Sequence, residues 1–204
     1  KGIYLKSGSD SNHLLNNIMN TFDQKGIRID ASGLNGGNLI KNNNITTGQI
    51  GIYVYKSRNN NFTENIINST SGSYEVISVI GDASYNRFER NVIKQAYNAI
   101  KIEDIFFITD YLPEENIFVN NTINNVDNYE FVMQNDSSSS SSINGTYFID
   151  QKIRKYFIGE IGGTFLFKDS EEGKINFLEV INGSGNNLSA DIKISNNSIE
   201  VNSS

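Results

Sequence analysis

Residues 86–93 read NRFERNVI, and the spacing in this stretch, Asn-x-apolar-x-x-Asn-x-apolar, decides the fold. The same spacing occurs five times in the chain. The asparagine pairs are Asn12 and Asn17, Asn38 and Asn43, Asn60 and Asn65, Asn86 and Asn91, and Asn116 and Asn121. Successive second asparagines are 26, 22, 26 and 30 residues apart. Self-similarity at a period in the twenties is typical of a solenoid.

The apolar residues around each motif lie two apart, which is the spacing of a β-strand. A small residue and an alternating apolar pair precede most copies, in Gly2-Ile3-x-Leu5, Gly26-Ile27-x-Ile29, Gly51-Ile52-x-Val54 and Ala99-Ile100-x-Ile102. The dense leucines of leucine-rich repeats and the six-residue period of left-handed helices are missing. The sequence therefore predicts an all-β protein, in which a right-handed parallel β-helix of about five to six turns precedes a small antiparallel β module.

The second asparagine of each motif lies above its equivalents in such a stack, so its side-chain amide can bond along the column. We therefore predict a structural asparagine ladder. Asparagine also tolerates the left-handed backbone conformation of a sharp corner, which we expect at these positions. The predicted ladder consists of Asn17, Asn43, Asn65, Asn91 and Asn121.

The Gly-Ile-x-Ile segments and the asparagine motifs resemble the parallel β-helix repeats of the pectate-lyase-like superfamily. That superfamily includes NosD-like proteins and the carbohydrate-binding and sugar-hydrolase repeat proteins, and the resemblance covers about residues 1–135. It implies the fold but leaves the activity open, because the superfamily includes lyases, hydrolases, epimerases, adhesins and structural proteins. Residues 183–202 resemble a sequence that recurs in large archaeal surface proteins, so we expect part of an archaeal or bacterial surface protein.

Changes in pattern predict three segments: a β-helix over residues 1–135, a serine-rich tether over 136–143 and a β-sandwich-like module over 144–204. The insertion at residues 105–113 is expected to leave the column, either as a lid on its flank or as a partner contact. Strand-like sequence at both ends leads us to expect a piece of a longer protein.

Composition narrows the class of protein. The formal net charge is −6, and the lysines and arginines are scattered, which argues against nucleic acid as a partner. There is no cysteine for disulfides or thiolate metal sites, and no run of about 18 apolar residues that would span a membrane. We expect an extracellular or cell-surface protein.

The chain has ten Asn-x-Ser/Thr patterns, roughly twice the number that chance predicts, which favours a glycosylated surface protein. By strand alternation, several of the acceptors are expected to point outward. The acceptor candidates are Asn44, Asn61, Asn68, Asn120, Asn135, Asn144, Asn182, Asn187, Asn196 and Asn202.

Enzymes of this fold carry their chemistry on an outer strand face, and the position after each Gly-Ile-x-apolar strand aligns Lys6, Asp30 and Tyr55. These residues predict either a shallow sugar-contacting strip or an ordinary solvated face. Asp30 and Glu103 are too many turns apart to form a catalytic carboxylate pair. No catalytic residue and no cofactor is predicted; Ca²⁺ remains the one ion to consider, since lyases use it to neutralise a carboxylate. The single histidine, His13, is expected on the surface.

Two functions remain open from the sequence. The first is a structural or adhesive segment of a glycosylated surface protein, whose partners are other copies of itself or further β-helix turns. The alternative is a protein that binds or acts on polysaccharide as a lyase, hydrolase or epimerase. Metal-enzyme maturation of the NosD type is disfavoured, because the chain has one histidine, no cysteine and two methionines.

Overall fold

Short β-strands are the regular secondary structure of the residues that the structure describes. A computed structural model of the 204-residue chain describes residues 2–21, 25–30, 36–70, 74–104, 113–135, 143–150, 156–158, 163–168, 190–195 and 198–203. These ranges contain no helix, and therefore none that is long and apolar enough to cross a membrane. Most of the insertion at 105–113 and the serine run at 137–142 lie outside the described residues.

The strands form three sheets, and within each sheet every strand is hydrogen-bonded to the next one in the order given. The first sheet contains β1 (Ile3–Lys6), β4 (Ile27–Asp30), β7 (Ile52–Tyr55), β10 (Glu75–Ile80), β13 (Asn98–Asp104), β16 (Phe131–Asn135) and β18 (Tyr156–Ile158). The second contains β2 (His13–Leu15), β5 (Leu39–Lys41), β8 (Asn61–Thr63), β11 (Arg87–Glu89), β14 (Ile117–Val119), β17 (Ile143–Ile149), β19 (Gly163–Lys168), β21 (Ser198–Ser203) and β20 (Ala190–Ser195). The third contains β15 (Thr122–Ile123), β12 (Val92–Gln95), β9 (Ile66–Ser69), β6 (Asn44–Thr47) and β3 (Ile18–Thr21).

From β1 to β14, each strand pairs in parallel with the strand one repeat later, which confirms a parallel β-solenoid. Ile27 pairs with both Ile3 and Ile52, and Ile45 pairs with both Met19 and Ile67. Five layers with one strand in each sheet are joined by four turns of the chain between Asn17 and Asn121, slightly fewer turns than the five or six predicted.

Parallel pairing extends beyond residue 135. β17 and β19 continue the second sheet in parallel, and β18 continues the first. Antiparallel pairing begins where β19 meets β21, and β21 pairs with β20 as a hairpin. The division of the chain into segments 1–135, 136–143 and 144–204 stays a prediction.

The core is the inside of the column, where the apolar residues of successive layers stack on one another. Four phenylalanines form a continuous stack in the second sheet, with ring centroids 4.6, 4.8 and 5.4 Å apart along Phe62, Phe88, Phe118 and Phe148. All four are essentially inaccessible to solvent. The first sheet contributes isoleucines and valines such as Ile29 and Val54, which are also fully buried. No single layer could bury these side chains alone, so the stack of layers makes the core.

The predicted asparagine ladder is present. The backbone N–H and the Nδ2 of Asn43 both donate to Oδ1 of Asn65, at 3.0 and 2.9 Å. The same pair of bonds joins Asn17 to Asn43, Asn65 to Asn91 and Asn91 to Asn121. The Nδ2 of Asn65 also donates to the carbonyl of Ile40 in the preceding layer at 2.9 Å. Each buried amide in the middle of the ladder is thus satisfied by its neighbours, as burial requires.

A second ladder, which the sequence analysis did not predict, consists of the first asparagine of each motif. The backbone N–H and the Nδ2 of Asn60 donate to Oδ1 of Asn86 at 3.0 and 2.8 Å. Equivalent bonds join Asn12 to Asn38, Asn38 to Asn60, and Asn86 to Asn116. Both asparagines of the motif therefore hold successive layers together.

The corner conformation lies one residue earlier than predicted. The ladder asparagines are absent from the residues with positive φ, whereas the residue immediately before several of them adopts the left-handed conformation, with φ of 56° at Asn42 and 57° at Glu64. Asparagine fits such a position well, but Glu64 and Arg90 occupy it too, at φ of 57° and 52°. The ladder asparagine is placed by its hydrogen bonds, and its predecessor turns the corner.

One glycine is required where layers approach closely. A Cβ on Gly26 would lie 2.6 Å from the carbonyl oxygen of Gly51 and 2.4 Å from Cγ2 of Ile45. These distances leave no room for a side chain, which explains the small residue that begins the Gly-Ile-x-apolar segments.

Candidate functional site: the outer face of the first sheet

Register places the predicted strip on one face of the column. Lys6 pairs with Asp30, and Asp30 pairs with Tyr55, so these three side chains are neighbours on strands β1, β4 and β7. The inward residues Ile27 and Ile29 of the same strands are fully buried. Because side chains alternate along a strand, the strip points away from the core. The structure thus brings together Lys6, Asp30 and Tyr55.

A second row lies beside the strip, two residues earlier on each strand. Tyr4 pairs with Arg28, and Arg28 pairs with Tyr53. The Arg28 guanidinium lies 4.8 Å from the ring centroid of Tyr4 and 5.4 Å from that of Tyr53. Arg28 is therefore held between two aromatic rings from the neighbouring layers.

Asp30 connects the two rows. The Tyr4 hydroxyl donates to Oδ2 of Asp30 at 3.0 Å, and the Arg28 guanidinium forms an ion pair with the same oxygen. The hydrogen bond to Asp30 raises the pKa of the Tyr4 phenol above its usual value of 10.0. The carboxylate thereby orients both Tyr4 and Arg28.

Three lysines also lie near the tyrosine rings. The ammonium of Lys25 lies 3.7 Å from the ring centroid of Tyr53, a short cation–π distance. Lys6 lies 5.4 Å from the ring of Tyr4, and Lys56 lies 5.0 Å from the ring of Tyr55. Burial raises the pKa of the Tyr53 phenol, so this ring stays neutral beside its cations.

We call this group of residues the cation–tyrosine face. It consists of Tyr4, Lys6, Lys25, Arg28, Asp30, Tyr53, Tyr55 and Lys56. Among these residues four cations face one carboxylate, although the whole chain has a formal net charge of −6. The face ends at β10, where the outward residues Ser78 and Ile80 are 1% and 6% exposed.

Sequence reasoning identified only part of this face. It aligned Lys6, Asp30 and Tyr55, but it did not include Lys25 or Arg28. Arg28 could have been predicted from the sequence, because it occupies the variable position between Ile27 and Ile29. Lys25 precedes its strand, so its contact with Tyr53 depends on side-chain geometry that the repeat does not encode.

Other charged residues form separate ion pairs. On the second sheet, Glu64 pairs with Lys41 at 3.4 Å and with Arg90 at 3.0 Å. The hydrogen bond from Arg90 lowers the pKa of the Glu64 carboxyl. On the first sheet, Lys101 pairs with Glu103 at 2.9 Å and with Glu75 at 3.5 Å, and Glu103 lies three register positions from Asp30. Apart from Lys101 with Glu103, which lie on the same strand, these pairs link neighbouring layers on the surface of the column.

The acceptor asparagines lie at several places. Asn44 and Asn120 are exposed, while Asn61 and Asn68 are half-buried. Asn135, Asn144 and Asn202 lie in strands β16, β17 and β21. Asn182, Asn187 and Asn196 lie outside the described residues. His13 is exposed, and the described residues contain no group of three His, Cys, Asp or Glu that could hold a metal ion.

Comparisons with protein-family models, with curated proteins and with solved structures found no match. The parallel β-solenoid is therefore established by strand pairing alone, and function has to be argued from the residues of the face and the ladders.

Proposed function

We propose that this chain is a structural and adhesive segment of an extracellular or cell-surface protein, in which a rigid column presents a fixed face to a polymer or surface. The observation that carries the proposal is the pair of uninterrupted asparagine ladders through all five layers. The most regularly repeated polar residues of the chain serve internal hydrogen bonds. Such a column resists bending, because each layer is bonded to the next at two corners.

The cation–tyrosine face is the proposed contact surface. Its side chains are held in place by one another, through Arg28 between two rings and Asp30 between Tyr4 and Arg28. Side chains that are already ordered lose little conformational entropy on binding, which favours contact with an extended polymer. Its positive charge favours an acidic polymer, such as a surface polysaccharide.

Cosedimentation with insoluble polysaccharides, followed by an assay of the supernatant for cleavage products, tests this function. We expect the protein to sediment with an acidic polysaccharide and to release no product. Replacing Lys25 with Gln should weaken sedimentation, whereas replacing the exposed Lys94, on the third sheet, should not. Failure to bind any acidic polymer would remove the adhesive role.

The alternative is an enzyme that acts on polysaccharide. The alignment of Lys6 beside Asp30 favours it. A lyase needs a basic group that abstracts a proton from the substrate, near a positive charge that neutralises the substrate carboxylate. Turnover of uronate polysaccharides, with and without calcium, that disappears in Asp30→Ala or Lys6→Ala variants would establish this alternative and overturn the structural role.

Glycosylation is the second part of the proposal. Asn44 and Asn120 present exposed side chains within acceptor patterns, so a glycan could be attached there without disturbing the core. Mass spectrometry of the protein from its native source should find glycans at these two positions. Bare asparagines at every acceptor would contradict this part.

Association with further β-helix layers is the third part. Within the described residues, Oδ1 of Asn12 and Oδ1 of Asn17 accept no hydrogen bond, whereas Oδ1 of Asn43 accepts two from Asn17. A layer carrying the same motif, in this chain or another copy, would supply the missing donors. Sedimentation velocity at increasing concentration should detect such association, and Asn17→Ala together with Asn12→Ala, which removes both open acceptor oxygens, should reduce it. A monomer at all concentrations would contradict self-assembly.

A further inference from the structure

A cavity of about 270 Å³ opens at the first layer, beside the cation–tyrosine face. It is lined by Gly2, Ile3, Tyr4, Lys25, Arg28 and Gln49. Two of these residues are cations, and the lining contains no carboxylate. The only acidic partner of Arg28 among the described residues is Asp30, which is not part of the lining.

Among the described residues, the positive charge in this cavity is incompletely compensated. The Nε of Arg28 is buried and has no hydrogen-bond partner among the described residues. Burying a donor of a charged group without an acceptor is unfavourable, so the site gains stability from an acceptor that reaches it. Lys25 supplies a second cation from the adjoining loop, and no described carboxylate pairs with it. Desolvation, together with the nearby Arg28, lowers the pKa of the Lys25 ammonium, which is the consequence expected when two cations share a partly buried place.

The tyrosines hold the cations in place. Lys25 and Arg28 both lie on the ring of Tyr53, at 3.7 and 5.4 Å, and Arg28 and Lys6 lie on the ring of Tyr4, at 4.8 and 5.4 Å. The contacts with these rings fix two positive groups at the rim of one cavity.

We propose that this cavity is an oxyanion-binding site, in which Lys25 and Arg28 together bind a sulfate or carboxylate group. Arg28 would donate from its guanidinium and Lys25 from its ammonium, and Gln49 is the remaining polar side chain of the lining. The two charge-assisted hydrogen bonds give the affinity, and the cavity volume leaves room for a small group attached to the anion. The site does not depend on the adhesive role proposed above, since a free anion would bind in the same way.

Nuclear magnetic resonance titration tests the site on the whole chain. Sodium sulfate and sodium acetate are added separately, with sodium chloride at matched ionic strength as the reference. We expect one of the two oxyanions to shift the Arg28 Nε–H resonance saturably, and to leave the Nε–H resonances of Arg87 and Arg90 nearly unchanged. Which anion saturates at the lower concentration identifies the preferred group.

Variants provide the second measurement. Lys25→Gln should weaken binding about tenfold, the loss expected for one charge-assisted hydrogen bond, and Lys94→Gln should change it less than about twofold. Unchanged circular dichroism of each variant verifies that the fold is intact. Equal, unsaturable shifts at all arginines, or equal affinity in the two variants, would overturn the proposal, because both indicate general screening by salt.

Discussion

The side-chain oxygen of Asn65 accepts two hydrogen bonds from Asn43, one from its backbone nitrogen at 3.0 Å and one from its Nδ2 at 2.9 Å. The Nδ2 of Asn65 in turn donates to Asn91 above it and to the carbonyl of Ile40 below it. Asn65 is completely buried, so water cannot replace these partners. One side chain thus joins three layers.

Replacing Asn65 with alanine should destabilise the column strongly. It leaves the buried N–H of Asn43 without its acceptor and removes one of the donors to the carbonyl of Ile40, and an unpaired buried group costs about 1–3 kcal/mol. We expect a loss of roughly 3 kcal/mol in the free energy of unfolding, measured by denaturant titration.

Asn44 provides the matched control, because it lies one residue after a ladder position but is exposed. Asn44→Ala should change the unfolding free energy by less than about 0.5 kcal/mol. Similar losses in the two variants would mean that the amide bonds of the ladder add no stability.

The left-handed backbone at Tyr85 predicts that asparagine is preferred at this corner position. Tyr85 precedes Asn86, has a φ of 57° and is 47% exposed. Left-handed backbone costs most residues about 1–2 kcal/mol, but asparagine tolerates it. Tyr85→Asn should therefore raise the melting temperature and Tyr85→Ile should lower it.

The same two substitutions at Tyr97 serve as the control, since Tyr97 is 36% exposed and is absent from the residues with positive φ. There asparagine should give no advantage over isoleucine. The prediction for Tyr85 fails if isoleucine and asparagine give equal melting temperatures at that position.

Substitution at the centre of the phenylalanine stack should lower the free energy of unfolding. Phe88 lies 4.6 Å from Phe62 and 4.8 Å from Phe118, with its ring nearly parallel to both. Phe88→Ala would leave a cavity between two layers and should cost about 4 kcal/mol of unfolding free energy. Ile18→Ala is the comparison, because Ile18 is 79% exposed, and it should cost less than about 0.5 kcal/mol. A loss below about 1 kcal/mol for Phe88→Ala would exclude a tightly packed stack.

The bond between Tyr4 and Asp30 predicts a dependence on alkaline pH. The pKa of Tyr4 is raised in the folded state, so the folded protein retains this proton above pH 10.0, where a free tyrosine loses it. The stability that the bond adds is therefore present below pH 10.0 and is lost as the pH rises through the raised pKa. The difference between the tyrosinate absorbance titrations of the wild type and of Tyr4→Phe should report this late ionisation.

Asp30→Asn should move that ionisation back toward pH 10.0, because a neutral amide oxygen accepts a weaker hydrogen bond from the phenol than a carboxylate does, and because the negative charge beside the phenol is removed. A Tyr4 component that already titrates at pH 10.0 in the wild type would contradict the hydrogen bond.

Much of the fold could be predicted because the repeat encodes it directly. Period, alternation and the spacing of Asn60 and Asn65 were sufficient for a parallel solenoid and for one ladder. The first asparagine of each motif carried an equally regular signal, so the second ladder was available from the sequence. The corner position could be predicted only in part from residue type, since Asn42 occupies it in one layer but Glu64 and Arg90 occupy it in the next two.

The cation–tyrosine face was harder to predict. Aligning the Gly-Ile-x-apolar segments places Tyr4, Arg28 and Tyr53 in one row, so this row could be predicted from the sequence. Their mutual contacts depend on side-chain conformations, and Lys25 reaches Tyr53 from outside the repeat. Long polar side chains have many rotamers of similar energy, so spacing alone does not determine which of them meet.

Hydrogen–deuterium exchange of the asparagine side-chain amides tests the ladders most directly. The Nδ2 hydrogens of Asn43, Asn65 and Asn91 each donate to partners in neighbouring layers, so their exchange requires local opening of the column. We predict that these hydrogens exchange at least about 100-fold more slowly than those of the exposed Asn44. Equal exchange at Asn65 and Asn44 would contradict a hydrogen-bonded ladder as the connection between layers.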